Sequence, residues 1–394
     1  MDEIADLPKG ITAYGPLFNW RRDGYLFKSE FFDHKAAATS MHHLATVIQA
    51  AGFSDQSILI QETGDRLVLL VGLQPESLRV FGVSVDENPA FEEYSVLLPE
   101  ESPQRIPPEH EQLREIRVGI VGLGSLGSKI AVSLGRSGVR KFLLIDDDIL
   151  VPGNISRHEL SWGAVGIHKA EAVREALTLI APIMDIQVRL HRIAGQESAM
   201  SAATALRDLT FCELLVDATA NPEVFLRIAA VAKMCRRPLC WGEVFAGGFG
   251  GLIARARPEI DPHPVAVRAA ILHHLGTLPP APYQRANAYN LGGEQPVVAY
   301  DSEVAQIAAA LTRFALDIAL RKTASAFPYS AYLIGLRKEW IFSQPFDTYP
   351  IEITGEEWSK ASDPSFRDED RTEAIKVLLR IVAEEKHANA DSST

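Results

Sequence analysis

Arg117-Val118-Gly119-Ile120-Val121-Gly122-Leu123-Gly124-Ser125-Leu126-Gly127-Ser128 decides the fold. A short apolar run ends in three glycines spaced G-x-G-x-x-G, and an Ala/Leu/Ile-rich stretch with helical spacing follows. This predicts a strand, a tight turn and a helix N-terminus. The first glycine permits the turn, the second lets the backbone approach a phosphate, and the third lets the helix pack on the strand. The start of the helix offers unpaired N–H groups and the positive end of a dipole, so an anion is expected there.

Working outward, the helix ends at Gly138, a suitable C-cap. A second strand, Lys141 to Ile145, runs into Asp146-Asp147-Asp148. A carboxylate at the end of the second strand of such a βαβ unit can accept hydrogen bonds from ribose hydroxyls. That much suits either a dinucleotide dehydrogenase or an ATP-binding enzyme. The next residues separate them, because Asn154 and Arg157 follow the acids and Lys169 lies twelve residues beyond Arg157. Two cations at an acidic strand end suit an enzyme that splits a nucleoside triphosphate, where charge develops as pyrophosphate leaves. The predicted fold class is therefore α/β and Rossmann-like, a mostly parallel sheet with flanking helices.

The chain has 394 residues, 47% of them apolar and 23% charged, which is ordinary globular composition. A net charge of −12 speaks against a nucleic-acid or acidic-membrane partner, which would need a concentrated basic face. No apolar run is long enough to span a bilayer, and MDEIADLPKG has no signal-peptide character. Three cysteines, Cys212, Cys235 and Cys240, make no CxxC pair, so a reducing, cytoplasmic setting is expected.

Three regions are expected: a small α+β accessory or docking module over 1–110, the nucleotide domain over 111–360, and a C-terminal helix with a polar tail over 361–394. In the first module, helical spacing runs from His34 to Gly52. Strand patterns cover Ser57 to Ile60, Arg66 to Val71 and Leu78 to Val85. His42-His43 reads as surface rather than metal, since adjacent helical residues point apart. A proline-rich linker, Pro99 to Pro108, follows. In the nucleotide domain, residues 276–296 read as a flexible crossing loop and Val304 to Lys322 as an amphipathic helix with Ile307, Leu311, Phe314, Leu316 and Ile318 in the core. Tyr332 to Leu336 and Trp340 to Phe342 read as a terminal hairpin, and Thr372 to Glu385 as a last helix.

The succession VGLGSLGS, IDDDILVPGNISR, VGIHKAEA, VDATAN and RPLCWGE resembles the adenylating superfamily of ubiquitin-activating and sulfur-carrier-adenylating enzymes, with its ThiF-type fold, over about residues 114–257. The stretch from Pro296 to Ile351 further resembles bacterial members linked to ubiquitin-like conjugation. The resemblance implies ATP-dependent adenylation of a protein's C-terminal carboxylate, with ATP and Mg²⁺ as cofactors. It also implies a ubiquitin-like or sulfur-carrier protein and a conjugating enzyme as partners, and a homodimer. By matched position, Gly122, Gly124 and Gly127 lie beside the adenosine and phosphates, and Asp146 and Asp148 hold the ribose. Asn154, Arg157 and Lys169 surround the triphosphate.

The chain departs from the family pattern in four places. Asp217-Ala218-Thr219-Ala220-Asn221 puts Ala220 where the family's magnesium-binding aspartate stands, leaving Asp217 as the nearest carboxylate and Asn221 as a helper. Ser156-Arg157-His158 replaces a more usual Asn-Arg-Gln. Paired CxxC zinc motifs are absent, so no structural zinc is expected. The arginine that many relatives lend across a dimer has no counterpart beyond Arg21 and Arg22.

Cys240 is the candidate acyl acceptor, against the alternative of a buried strand-end cysteine. The crossover region at about 258–300 contains no thiol, so a serine or threonine ester, or direct transfer of the adenylate, also stays open. The glycine-rich run Ala246 to Ile253 reads either as close packing within the sheet or as a floor for a Gly-Gly-type tail. Three other functions fit less of the sequence: a peptide-adenylating enzyme, a scaffold for a conjugating enzyme, and a nicotinamide-dependent oxidoreductase.

Overall fold

The computed structural model describes the backbone of five strands within residues 10–94. It also describes residues 107–181, 183–193, 199–283, 298–320 and 325–358, with 199–201 as backbone alone. The chain divides into two units, Met1–Arg105 and Ile106–Thr394. The expected helix from His34 to Gly52, the His42-His43 pair, the strand at Ser57 to Ile60, most of the linker, residues 284–296 of the crossing loop and everything after 358 lie outside the described residues.

In the first unit, β1 (Gly10–Gly15), β2 (Trp20–Ser29), β3 (Arg66–Gly72), β4 (Leu78–Val83) and β5 (Phe91–Tyr94) form one sheet in that order. β3 and β4 are the strands expected from the sequence. β1, β2 and β5 were not anticipated, because glycines, charges and short length break their apolar alternation. β2 and β3 run parallel and the other neighbours antiparallel.

The second unit contains β6 (Arg117–Val121), α1 (Ser125–Arg136), β7 (Lys141–Ile145), α2 (Lys169–Thr178), β8 (Asp185–Arg189), α3 (Ala199–Leu209) and β9 (Leu214–Asp217). It continues through α4 (Pro222–Cys235), β10 (Leu239–Val244), β11 (Gly250–Ala256), α5 (Pro264–Thr277), α6 (Asp301–Ala319), β12 (Ala331–Gly335) and β13 (Thr348–Pro350). Its sheet order is β13-β12-β11-β10-β9-β6-β7-β8. The five strands from β10 to β8 are mutually parallel, and β11, β12 and β13 extend the sheet antiparallel.

Both faces of β6, β7 and β9 are buried, as their near-continuous apolar runs require, whereas the edge strand β8 stays partly exposed. Val118, Ile120, Phe142, Leu144, Leu214 and Val216 face α1, α2 and α6, while Val121, Leu143, Ile145 and Leu215 face α3, α4 and α5. Period-two alternation therefore assigns each strand residue to one of two cores, giving three layers. α1 is capped at its C-terminus by Ser137, and Gly138 follows at φ +119°, a conformation that glycine adopts without strain. α6 is tied to the sheet by Arg255 on β11, which is 0% exposed. Its guanidinium bonds Asp317 at 2.7 Å and lies 4.5 Å from the Phe314 ring centre.

One expectation needs correction, and one open alternative is decided. Trp340 to Phe342 is not a strand. Trp340 sits at φ +59°, and the Phe342 ring fills the space left by Gly335, where a Cβ would come within 2.3 Å of it, so β12 pairs with β13 instead. The glycine-rich run is close packing rather than an open floor. A Cβ on Gly250 would lie 2.5 Å from the Ile334 carbonyl oxygen, and one on Gly251 would lie 2.7 Å from that of Glu243.

Candidate nucleotide site

The carboxyl ends of β6, β7, β9 and β10 open into a cleft of about 760 Å³, a volume usual for small-molecule sites. It lies where the chain order reverses between β6 and β9, which is where open parallel sheets bind ligands.

The glycine turn forms one wall, and its three glycines do different work. Gly122 adopts φ +83°, and a Cβ there would lie 2.8 Å from Thr219 Cγ2. A Cβ on Gly127 would lie 1.9 Å from the Gly122 carbonyl oxygen, so this glycine allows α1 to seat against the turn. Gly127 is not among the residues lining the cleft, which corrects its expected place beside the nucleotide. Gly124 does line it, and a Cβ there would meet nothing within 4 Å.

The acidic end of β7 faces the turn. Asp146 Oδ2 accepts the Leu123 N–H at 2.6 Å and Oδ1 accepts that of Asp148 at 2.9 Å. Burial pushes the Asp146 carboxyl above its ordinary range, opposed by those two hydrogen bonds. The Lys169 ammonium donates to Asp148 Oδ2 at 2.7 Å from the first residue of α2, and Lys169 is only 9% exposed. Asp147 pairs with Arg192 at 3.0 Å.

Between these lies the segment from Val151 to Leu160. Pro152–Asn154 forms a short 3-10 turn, and Asn154 Oδ1 accepts the Val151 N–H at 3.1 Å. The Arg157 and His158 amides both donate to the Asn154 carbonyl, at 3.1 and 3.0 Å, which places Asn154, Arg157 and His158 along the same wall of the cleft. Arg157 and Lys169 thus border one cleft with the glycine turn and the acids, although they arise from separate segments.

Asp217 closes a turn instead of facing the cleft. It is buried, and its Oδ1 accepts both the Thr219 N–H (2.9 Å) and the Thr219 hydroxyl (2.6 Å). Burial raises its pKa, with the Thr219 hydrogen bonds opposing. Asn221 lines the cleft, but its Oδ1 caps α4 by accepting from Glu223 N and Val224 N. Ala220, at φ +53°, brings no side-chain donor. The β9 end thus presents no side chain arranged for a magnesium ion, against the metal-binding expectation at Asp217: its Oδ1 is taken up by its own turn, and Asp217 is not among the residues lining the cleft. Asp146, Asp147 and Asp148 do bring carboxylate oxygens within 4.8 Å of one another, but each is engaged as described above.

Cys240 is 0% exposed on β10, packed against Ile253 and the α6 side chains, and does not line the cleft. Burial pushes its thiol up to about 12, which disfavours the reactive thiolate. An acyl-accepting role for Cys240 is removed on both grounds. Cys212 is likewise buried and pushed up to about 12.

Sequence reasoning gave no role to His158, Arg192 or Thr219. His158 follows Arg157 directly, and its substitution for the family's usual glutamine was the available signal. Arg192 lies beyond β8 in a stretch without a motif. At the far end of the cleft, Gly242, Glu243, Val244, Phe245, Ala246, Val298 and Ala299 leave a less charged wall.

Among the described residues, no helix is long and apolar enough to cross a membrane. Residues 102–262 match the sequence model of the ThiF family. The chain is 37% identical over 118 residues to the ATP-dependent ubiquitin transferase-like protein Cap2 of Enterobacter hormaechei, covering 30% of this chain and 19% of that protein. It is 36% identical over 83 residues to ubiquitin-like modifier-activating enzyme 5 of Caenorhabditis elegans, covering 21% of this chain and 19% of that one. The match thus spans about a fifth of the length of either relative. E. coli MccB bound to ATP aligns in structure with a TM-score of 0.48 and 15% identity, over 63% of this chain and 67% of that one. The glycine turn, the acidic strand end and the two cations gathered in one cleft all lie within residues 102–262, the stretch that is similar to the ThiF family.

Proposed function

We propose that this protein is an ATP-dependent adenylyltransferase that activates the C-terminal carboxylate of a ubiquitin-like or sulfur-carrier protein. The observation that carries this reading is the convergence of Arg157 and Lys169 on a cleft that also holds Gly124 and the acids of β7. Gly124 leaves room for a phosphate at the start of α1, and Asp146 and Asp148 stand where a ribose would sit. A carboxylate oxygen attacks the α-phosphorus, the bond to the bridging oxygen breaks, and pyrophosphate leaves with that electron pair. Arg157 and Lys169 stabilise the charge that builds on the departing phosphates. Mg²⁺, if it accompanied the triphosphate, would supply neutralisation of phosphate charge.

The burial of Cys240 favours either transfer of the adenylate directly to a nucleophile on the partner, giving the acyl product and AMP, or a serine or threonine ester as the intermediate. A conjugating enzyme as that partner, and a homodimer, follow from the family resemblance alone.

ATP–pyrophosphate exchange, measured with and without small proteins ending in glycine, tests the reading. Exchange should depend on the carrier and fall about 10²- to 10³-fold in Lys169→Ala, the usual cost of losing one charge-stabilising group. Exchange that is carrier-independent or untouched by the substitution would refute it.

A further inference from the structure

His158 is a buried polar side chain at the cleft with both ring nitrogens engaged. It is 6% exposed, Nδ1 accepts the Leu160 N–H at 3.2 Å, and Nε2 lies 2.7 Å from the Leu123 carbonyl oxygen. Since a carbonyl can only accept, this network assigns the single proton to Nε2, which donates to Leu123. Leu123 is the residue between the first two glycines of the turn, and Asp146 already holds its N–H at 2.6 Å. The residue is therefore gripped at both ends, by the acid of β7 at its N–H and by His158 at its carbonyl.

The second grip has a consequence for the phosphate end. His158 is bonded through its own amide to the Asn154 carbonyl at 3.0 Å, as is Arg157 at 3.1 Å. The imidazole is thus a direct link between the segment carrying Asn154 and Arg157 and a glycine turn 35 residues earlier in the chain. Leu160 N–H on Nδ1 keeps the ring from turning, and Ser128 Oγ accepts the Glu159 N–H at 3.3 Å, binding the same segment to α1. The surroundings keep the ring neutral. Burial disfavours the imidazolium, and Lys169 and Lys129 add repulsion, while Lys129 is itself satisfied by Asp301 at 2.7 Å. A neutral ring preserves the one-donor, one-acceptor pattern that both contacts require.

We propose that His158 is a positioning residue for triphosphate binding: through the Leu123 carbonyl it holds the glycine turn in register with Arg157, so that backbone N–H groups and guanidinium meet the same phosphates. This inference rests on the adenylation reading above. It concerns a residue that touches protein rather than nucleotide and acts through Arg157 and the turn.

Side-chain length distinguishes this role from general packing. Glutamine at 158 places an amide N–H near the position of Nε2 and can donate to Leu123. Asparagine is one carbon shorter, reproduces only the Nδ1 side and leaves the Leu123 carbonyl unbonded. The test measures calorimetric binding of a non-hydrolysable ATP analogue and of adenosine to wild type, His158→Gln, His158→Asn, Arg157→Ala and the His158→Asn/Arg157→Ala double variant.

For the analogue, His158→Asn should lose about tenfold in affinity, the worth of one well-placed buried hydrogen bond, and His158→Gln should recover to within about threefold of wild type. Adenosine, which carries no phosphate, should bind all variants alike. The double variant should bind the analogue no worse than Arg157→Ala alone, because His158 acts through that arginine. The proposal is overturned if asparagine binds the analogue as well as histidine, if glutamine fails to recover, if adenosine loses as much as the analogue, or if the two substitutions simply add. Failure of wild type itself to bind the ATP analogue would overturn the adenylation reading and this inference together, whereas a loss pattern confined to the variants bears on His158 alone.

Discussion

Lys169, Arg157 and Cys240 each invited a chemical role from sequence context, and burial separates them. Lys169 is nearly buried, yet its ammonium stays on the cleft wall because Asp148 supplies a partner at 2.7 Å. Cys240 sits opposite Arg255 across the β10–β11 pair, but that guanidinium is already committed to Asp317. The thiol points between β10 and α6, where a thiolate would go unsolvated. Cys240→Ala is therefore expected to cost about 1 kcal/mol in stability from lost packing and to leave pyrophosphate exchange within twofold of wild type. Alkylation read by intact mass provides the check at the level of the thiol. Cys240 and Cys212 should stay unmodified by iodoacetamide in the native protein and react once it is unfolded. Rapid native labelling of Cys240, or exchange lost in the alanine variant, would restore the thiol to the mechanism.

The turn between β6 and α1 shows how one element can carry two constraints of opposite kinds. Gly127 faces inward to the Gly122 carbonyl, and Gly124 faces outward to empty space. Gly127→Ala forces its Cβ to within 1.9 Å of a backbone oxygen unless α1 lifts off the strand. We expect a loss of about 2–4 kcal/mol, visible as a large drop in Tm. Gly124→Ala meets no atom, and its φ of −69° suits any L-residue, so its Tm should move little. Its effect should appear instead as weakened ATP-analogue binding, since the added methyl projects where a phosphate would approach. Equal losses of stability in the two variants would show that the glycines are not divided between packing and ligand in this way. The same element logic governs Gly250 and Gly251. Their missing side chains admit β12 and α6, which is why a glycine-rich run that suits a peptide track is in fact the interior of a sheet.

At the scale of the molecule, the cleft is assembled from segments far apart in sequence, and its polar links make the fold sensitive to acid. His158 is held at about 4, below its ordinary 6.5, chiefly by burial. As pH falls below about 6.5 the unfolded chain takes up a proton that the folded chain refuses, so stability is lost progressively down to about pH 4. Two and a half pH units correspond to roughly 3 kcal/mol at most. Denaturant unfolding followed from pH 7 to pH 4 should show this decline, and His158→Gln, which cannot titrate, should flatten it. An unchanged slope in that variant would place the acid sensitivity elsewhere. Arg255 is a second long-range link, but a permanently charged one. Its pairing with Asp317 and its stacking on Phe314 join β11 to α6 at any pH in this range.

Much of this was legible from local pattern. The order strand, glycine turn, helix and acidic strand end follows from residue spacing, because period-two apolar runs and a G-x-G-x-x-G turn have few other solutions. The parallel sheet, the use of Gly122 for a positive φ, and the meeting of Asp146, Asp148, Asn154, Arg157 and Lys169 on one cleft accord with that reading. Other features depended on which face of a strand or turn a side chain takes, and on what lies opposite. Asp217 turned to its own threonine, Cys240 was sealed beneath α6, and Gly127 became a packing position. The run from Trp340 to Phe342, apolar enough for a strand, was drawn instead into the space beside Gly335. His158 acquired its role only when a residue 35 positions away presented a carbonyl. The elements and the chemistry brought to them follow from residue spacing, since both are local. Tertiary structure alone decided which polar groups stayed open to a ligand, because burial and hydrogen-bond partners are set by residues distant in the chain.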